Sequence, residues 1–317
     1  MMMQIDEIKA RWIAFHEQKG YLQRLDPNHP MDFFIGINDK GHDELALFTT
    51  IEPAQLKSSD ALEVEKNVRK DGRWATQISS VKRENQDIFA RLCVDLVDSS
   101  EKSKSEQEGL DNVIRRFVAW QRLFANMHKD LPMSVMKGMV GELSFAMNAA
   151  EKGHSWEEIL HAWQGPNGAD RDYVFSDSWY EIKAISTGKD KVTISSLNQL
   201  EASTRGFLVV YRVDESSLTD SDAFSLKELI DNVRNCVKLV PEAHRLLEQK
   251  LVSLGYIDKK TYEDIYFTCK TVEYYSVDDE FPKIVTESVP SQIVGVRYDL
   301  AIAGIDKWKI DEDRIWN

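Results

Sequence analysis

The sequence predicts a protein of the α/β (α+β) class, in which helices flank a mixed sheet and further elements precede and follow it. Residues 134–213 alternate between helical and strand-like patterns, and this alternation predicts the sheet with its flanking helices. Hydrophobic residues make up 42% of the 317 positions and charged residues 29%, which is typical of a globular protein. We therefore expect three regions: a mixed N-terminal region (1–130), a central core (131–215) and a C-terminal region of helices and strands (216–317).

The N-terminal region is expected to contain strands followed by helices. A short helix is predicted near Ile8–Lys19, and the run MDFFIGINDKGHDELALFTTI predicts two strands around a turn at Asn38–Gly41. A further strand is predicted near Trp74–Val81. Two helices follow, QDIFARLCVDLVDSS and LDNVIRRFVAWQRLFANMHK, joined by a polar linker, EKSKSEQEG. In the second helix, apolar residues recur every three or four positions, so Arg115 and Arg116 are expected to face solvent.

The C-terminal region begins with two helical patterns, SLKELIDNVRNCVKLV and PEAHRLLEQKLVSLGY. Strand-like runs follow, namely EDIYFTCKTVEYYSV, KIVTESV and QIVGVRYDLAIAGI. A helix, then Gly255, then a hairpin is an order that a winged helix would also show. The pattern leaves that alternative open.

The central region holds the residues on which the functional prediction depends. Tyr173–Phe175 is predicted to form a strand, and Trp179–Ile185 is predicted to form the returning strand of a hairpin. A turn centred near Asp177 would place Asp172 opposite the region of Glu181 and Ile182. The hairpin would thus bring two acids on adjacent strands close together at one end of a sheet.

Alternation along the returning strand sorts its side chains between two faces. Glu181 and Lys183 are two residues apart, so they project from one face, while Tyr180, Ile182 and Ala184 project from the other. Two carboxylates and one ammonium group would therefore meet. Metal-assisted hydrolysis of a phosphodiester uses such a group, because Mg²⁺ prefers oxygen ligands and a lysine can orient the attacking water. The backbone carbonyl of Ile182 would offer a further oxygen ligand.

Several charged residues nearby compete for these roles. Asp170 is an alternative to Asp172 as the first carboxylate, but it lies further from the turn and follows the flexible run PNGA, so Asp172 is favoured. Lys189, Lys191 and Arg205 are candidates for phosphate contacts, although charged turns usually face solvent.

The order of elements and acids resembles the PD-(D/E)XK nuclease superfamily, whose core runs helix, three strands, helix, strand. Further features resemble the bacterial PD-(D/E)XK motif proteins found beside restriction and phage-defence genes. These features are Gly141-Glu142, the run WQGPNGADRDYVF before YEIKA, and the signatures LGY and FPKI at Leu254–Tyr256 and Phe281–Ile284. The resemblance implies a restriction-endonuclease-like core with a helix at Val135–Ala150, strands at Asp172–Phe175, Trp179–Ile185 and Val192–Ser195, a helix at Leu197–Thr204 and a strand at Phe207–Val213.

The resemblance also implies roles for five residues. Asp172 matches the metal-binding aspartate of the superfamily, Glu181 its second acid and Lys183 its lysine. Glu142, on the first core helix, matches an acid that many members contribute to the metal site. Gln199 resembles a catalytic-site glutamine that some members carry on the second core helix.

Two local features accompany these matches. Gly138 and Gly141 flank Glu142, which would leave bare backbone for the approach of a metal or phosphate. One departure from the superfamily pattern is that Arg171 precedes Asp172, so the literal proline-aspartate pair is absent.

The resemblance implies a Mg²⁺-dependent DNA endonuclease, with Mn²⁺ as an alternative ion, within a restriction or anti-phage system. The net charge of −13 argues against tight independent binding to DNA, so partner proteins of a defence complex or a homodimer are expected.

The chain shows no signal-like or membrane-spanning run, which indicates a cytoplasmic protein without a membrane partner. Protease, NTPase and zinc-hydrolase motifs are absent. Two alternatives stay open: a catalytically silent subunit that binds DNA or scaffolds a complex, and a nuclease that acts on RNA or single strands.

Overall fold

The computed structural model describes residues 5–82, 85–126, 130–201, 204–293 and 295–316. The chain forms two compact units, Met1–Lys129 and Asp130–Asn317. Both units combine helices with strands, so the α+β class predicted from the sequence is confirmed. The division of the chain into three regions stays a prediction.

The described part of the first unit contains a five-stranded antiparallel sheet with helices before and after it. The elements in chain order are α1 (Ile5–Phe15), β1 (Tyr21–Arg24), β2 (Asp32–Ile37), β3 (Asp43–Thr49), β4 (Leu62–Val68), β5 (Trp74–Ser80), α2 (Gln86–Ser100) and α3 (Glu106–Asn126). The strands lie in the order β1-β2-β3-β5-β4. The predicted hairpin, the strand from Trp74 and helix α2 are confirmed, whereas α1 ends at Phe15 rather than Lys19.

Helix α3 begins at Glu106 rather than Leu110, inside the segment predicted to be a linker. The hydroxyl oxygen of Ser105 accepts a hydrogen bond from the Glu108 backbone N–H at 3.2 Å, which satisfies one of the free donors at the helix start. Glu106 and Glu108 also place negative charge in the first turn, where the helix dipole favours it. The polar composition of EKSKSEQEG therefore predicted a linker at a place where a helix begins.

The predicted apolar stripe of α3 is buried, but Arg116 does not face solvent as predicted. Its Nε donates a hydrogen bond to Oδ2 of Asp95 on α2 at 2.8 Å, and the same oxygen accepts from Nε1 of Trp120 at 2.7 Å. The periodicity of one helix cannot show that an acid on its neighbour faces an arginine. Arg115 is exposed, as predicted.

The second unit contains a six-stranded mixed sheet and a separate two-stranded sheet in its described part. The elements in chain order are α4 (Met133–Glu151), α5 (Trp156–Ala162), β6 (Tyr173–Val174), β7 (Ser178–Ile185), β8 (Lys191–Ile194), β9 (Arg205–Ser216), β10 (Phe224–Ser225), α6 (Leu226–Val237), α7 (Pro241–Ser253), β11 (Tyr266–Val277), β12 (Tyr298–Ala301) and β13 (Lys309–Ile310). The main sheet has the order β10-β11-β9-β7-β6, with β13 paired to β11, while β8 pairs with β12. Strands β7 and β9 are parallel, and their neighbours pair antiparallel.

Strand β7 contributes to a separate apolar core on each face of the sheet. Tyr180 and Ile182 pack in the core that includes residues of α4, α6 and α7. Trp179 packs in the other core, with Val192 of β8. Because side chains alternate along a strand, Glu181 lies on the face of Trp179, and the predicted sorting of side chains is confirmed.

The predicted second core helix at Leu197–Thr204 is wrong. The chain forms a single 3-10 turn at Leu197–Gln199, and residues 202–203 lie outside the described part. Side chains of the segment make local and loop hydrogen bonds instead: Asn198 donates to Asp170 at 3.1 Å. Such bonds compete with helix formation. Strand β8 is present as predicted but pairs with β12 rather than with the main sheet.

The C-terminal helices and the strand β11 are confirmed, whereas other strand-like runs are shorter or absent. The run KIVTESV contains a 3-10 turn at Thr286–Ser288 instead of a strand. In QIVGVRYDLAIAGI only Tyr298–Ala301 is a strand, and residue 294 lies outside the described part. The winged-helix alternative is wrong, because β11 pairs with β9 along the main sheet.

Gly206 admits the ring of Trp179 against strand β9. A Cβ atom at Gly206 would lie 2.0 Å from Cζ2 of Trp179, which is 1% exposed. We expect Gly206→Ala to lower the free energy of unfolding by about 1–3 kcal/mol, because the ring must move within a packed core. Urea denaturation measures this loss. Gly188→Ala is the control, since an added Cβ there meets no atom within 4 Å, and equal midpoints for the two variants would contradict the expectation.

Candidate functional site

Asp172 lies immediately before β6 and is held by the backbone of two other segments. The register Tyr173↔Tyr180 brings Asp172 level with Glu181 of β7, within the region of Glu181 and Ile182 that the sequence predicted. Oδ2 of Asp172 accepts a hydrogen bond from the Ile182 N–H at 2.8 Å. Its backbone carbonyl accepts from the Gln164 N–H at 2.7 Å. The carboxylate therefore has a fixed position at the end of the hairpin.

Glu181 and Lys183 lie side by side on one face of β7. Oε1 of Glu181 is 2.7 Å from Nζ of Lys183, and the two side chains are 1% and 16% exposed. Oε2 of Glu181 is buried and has no hydrogen-bond partner among the described residues. One carboxylate oxygen of Glu181 is thus paired with an ammonium group, and the other has no partner among the described residues.

Glu142 reaches the same region from helix α4. Its Oε2 accepts a hydrogen bond from Nε1 of Trp163 at 2.6 Å, and its backbone carbonyl accepts from the Tyr173 hydroxyl at 2.8 Å. The carboxylate oxygen and the backbone of Glu142 are therefore both tied to residues next to the hairpin. Trp163 follows α5, so this helix also helps to orient the acid.

The two glycines beside Glu142 have different surroundings, and their part in the approach of a metal or phosphate stays a prediction. A Cβ atom at Gly141 would lie 3.2 Å from the Cβ of Ala184, so this glycine allows α4 to pack closely on β7. No atom lies within 4 Å of the Cβ position of Gly138. Gly165, which the sequence analysis did not single out, also places bare backbone next to the acids.

Gly165 marks the point where two carboxylates meet. A Cβ atom at this glycine would lie 2.7 Å from Oδ1 of Asp172 and 3.2 Å from Oε2 of Glu142. A side chain at position 165 would therefore collide with the acids. Gly165 and Trp163 both belong to the run WQGPNG, and the presence of glycine and proline there was a signal for close backbone approach.

Burial raises the pKa of all three acids, and the charges of neighbouring acids raise it further for Glu142 and Glu181. Burial, followed by the charge of Asp172, raises the pKa of Glu142 well above its usual range. The same two causes raise the pKa of Glu181 to about 8, against the opposing effect of Lys183. Burial also raises the pKa of Asp172, while the Ile182 N–H and Lys183 lower it. Three acids that repel one another in a buried place are a feature of functional sites.

The donors fit a hard divalent cation, although their side chains are turned to protein partners. In the part of the chain that the structure describes, no group of three or more His, Cys, Asp and Glu side chains is arranged to hold a metal ion. Lys183 engages Oε1 of Glu181, and Trp163 engages Oε2 of Glu142. Carboxylate oxygens are nevertheless the ligands that Mg²⁺ prefers, and the unpartnered Oε2 of Glu181 is available for one.

Gln199 and Asp170 lie in hydrogen-bonded loops rather than with the acids. Oε1 of Gln199 accepts a hydrogen bond from the Ser195 N–H at 2.6 Å, so its predicted catalytic role stays a prediction. Asp170 is exposed and accepts hydrogen bonds from Ser196 at 2.9 Å and from Asn198 at 3.1 Å. The loop position that the sequence indicated for Asp170 is confirmed.

The basic candidates are distributed over several segments. Nζ of Lys191 lies 2.6 Å from Oδ2 of Asp299, an ion pair between β8 and β12. Nη2 of Arg205 donates a hydrogen bond to the backbone carbonyl of Arg314. Phosphate contacts by these residues and by Lys189 stay predictions.

Comparison with known proteins gives one match that covers nearly the whole chain. A family model described as "Putative PD-(D/E)XK family member, (DUF4420)" matches residues 8–303. No curated protein and no solved structure matches the chain significantly. Among the described residues, no helix is long and apolar enough to cross a membrane.

Proposed function

The chain belongs to the PD-(D/E)XK family whose model it matches, and from this membership we propose that it is a Mg²⁺-dependent endonuclease acting on duplex DNA. Mn²⁺ would substitute for Mg²⁺, because both ions accept carboxylate ligands. The observation that carries the proposal is the meeting of Asp172 and Glu142 beside Gly165, with Glu181 and Lys183 on the adjoining strand.

The acids and the lysine would have different tasks in this reaction. Asp172 and Glu181 would hold the ion, with Glu142 and the backbone carbonyl of Ile182 as further oxygen ligands. A bound Mg²⁺ polarises a phosphoryl oxygen and lowers the pKa of its water. Lys183 would orient the attacking water, and its positive charge would offset the negative charge that develops on the phosphate.

The charge of the chain supports a role as one subunit of an assembly. Phosphate contacts by Lys and Arg dominate the affinity of most proteins for DNA, but this chain has a net charge of −13. Partner proteins of a restriction or anti-phage system, or a second copy of the chain, would supply the missing affinity. A cytoplasmic location accompanies this proposal.

A titration of Mg²⁺ and of Mn²⁺ against supercoiled plasmid DNA tests the proposal. The expected result is nicked or linear DNA that forms only with the ion and not with EDTA. The assay is run with and without the products of neighbouring genes, because an acidic subunit is expected to cut faster with its partners. The same preparation is incubated with single-stranded DNA and with RNA.

The outcomes separate the proposed function from its alternatives. Faster cleavage of RNA or single strands would show that duplex DNA is not the preferred substrate. The proposed hydrolytic reaction would still stand. No cleavage of any substrate, with no heat of Mn²⁺ binding in calorimetry, would assign the chain to the catalytically silent alternative.

A further inference from the structure

Arg171 is a cation near the acids to which the proposed reaction gives no task. It immediately precedes Asp172, where the superfamily pattern has proline. Its side chain is partly buried, and burial lowers the pKa of the guanidinium group. A charged group that loses contact with water is costly unless a partner compensates.

The guanidinium group of Arg171 is held on two sides. Its central carbon lies 5.0 Å from the centroid of the Trp179 ring, and Nη2 donates a hydrogen bond to the backbone carbonyl of Glu201. The ring itself is fixed, because it fills the space over Gly206 and its Nε1 donates to the Thr204 carbonyl at 3.2 Å. These contacts therefore hold the guanidinium group of Arg171 in a fixed position.

The contacts of Arg171 leave one of its donors unused. Nε of Arg171 is buried and has no hydrogen-bond partner among the described residues, and the same holds for Oε2 of Glu181. The two charged groups attract each other, since Arg171 contributes to lowering the pKa of Glu181, but these two atoms are not bonded to each other. Buried polar atoms without a partner are rare in proteins, and a bound ion or ligand group is one way in which they are satisfied.

A phosphodiester is a group that the partly exposed guanidinium of Arg171 can bind. The planar guanidinium offers several N–H groups in a fork that fits phosphate oxygens. Arg171 and Glu181 both neighbour Trp179, which puts the arginine on the face of β7 that carries Lys183. A phosphate entering this face would meet repulsion from the acids, and a second cation beside Lys183 would reduce it.

We propose that Arg171 is a phosphate-binding residue, which contacts the DNA phosphodiester that enters beside Asp172 and Glu181. The inference rests on the proposed nuclease function. The superfamily pattern has proline at this position. Here the positive charge of Arg171 would offset the negative charge of the acids when the substrate binds.

Fluorescence anisotropy of a labelled DNA duplex tests the role of Arg171 without requiring cleavage. Titrations in EDTA and in Ca²⁺, each at several salt concentrations, compare the wild type with Arg171→Gln, Arg171→Met and Arg171→Lys. We expect the neutral variants to bind about tenfold more weakly, and to show a slope of log K against log salt that is smaller by about one. Arg115→Met is the matched control, because it removes an exposed arginine elsewhere. Thermal denaturation of each variant accompanies the titrations.

Each outcome decides the inference. A neutral variant with wild-type affinity and salt slope overturns it, and cleavage by the wild type would still support the nuclease. A wild-type protein that neither binds nor cuts DNA overturns both. If the neutral variants do not fold, Arg171→Lys decides: weaker binding with an unchanged slope supports the inference, because one ammonium group cannot reproduce a forked contact, and unchanged affinity contradicts it.

Discussion

Asp172→Asn is expected to lower the rate of DNA cleavage by about a thousandfold while the protein still folds. The substitution removes a charge that would hold the metal ion, and losing one such electrostatic contact costs about 4 kcal/mol at the transition state. The asparagine oxygen can still accept the hydrogen bond from the Ile182 N–H, which keeps the hairpin in place. Single-turnover cleavage of plasmid DNA, under the ion conditions that support the wild type, measures the effect.

Asp170→Asn is the matched control for this experiment. Asp170 is an exposed acid only two residues away, and its hydrogen bonds go to Ser196 and Asn198. We expect this variant to cut within about threefold of the wild type, since surface changes away from a site have small effects. Equal activity of the Asp172 variant, or a greater loss in the Asp170 variant, would show that the first carboxylate has been misassigned.

Glu181→Gln is expected to abolish cleavage to a similar extent and yet to stabilise the metal-free protein at alkaline pH. Burial and Asp172 raise the pKa of Glu181 to about 8, above the usual value of 4.5. Between these two pH values the folded state keeps a proton that the unfolded state has lost. The free energy of unfolding therefore falls as pH rises through this window, and the loss is complete above the folded pKa.

Glutamine does not titrate, so the advantage of the variant should grow from pH 5 to pH 9. Because a buried acid without full compensation costs on the order of 1–3 kcal/mol, the difference is large enough for thermal denaturation in EDTA. Glu151→Gln, at the exposed end of α4, is the control and should show no such pH-dependent gain. A constant difference between wild type and the Glu181 variant across this range would contradict the expectation.

The hairpin and its acids could be predicted because local rules decide them. Alternation with a period of two sorts Glu181 and Lys183 to one face, and the short turn determines which residues lie opposite each other. Helix α4 (Met133–Glu151) also agrees with the helix that the resemblance implied at Val135–Ala150. These features depend on residues close together in the chain, so a single sequence contains the information needed.

The remaining parts depend on contacts between distant segments. The hydrogen bond from Trp163 to Glu142 exists only because α5 and α4 pack together, and no spacing within either helix indicates it. The sequence analysis did not predict that Gly141 lets α4 pack closely on Ala184, because a glycine pattern does not show which neighbour comes close. The loop around Gln199 was predicted as a helix for a similar reason: its polar side chains bond to Asp170 and Ser195 instead.

The position of β11 between β9 and β10 has a consequence for synthesis of the protein on the ribosome. Strand β9 is complete at Ser216, but its partner along most of its length, Tyr266–Val277, emerges only after α6 and α7. Until then the nascent chain exposes an apolar strand edge, of the kind that pairs with other chains. The sheet that carries the candidate site is completed only after β11 has been synthesised, so we expect a chain shortened after β9 to aggregate.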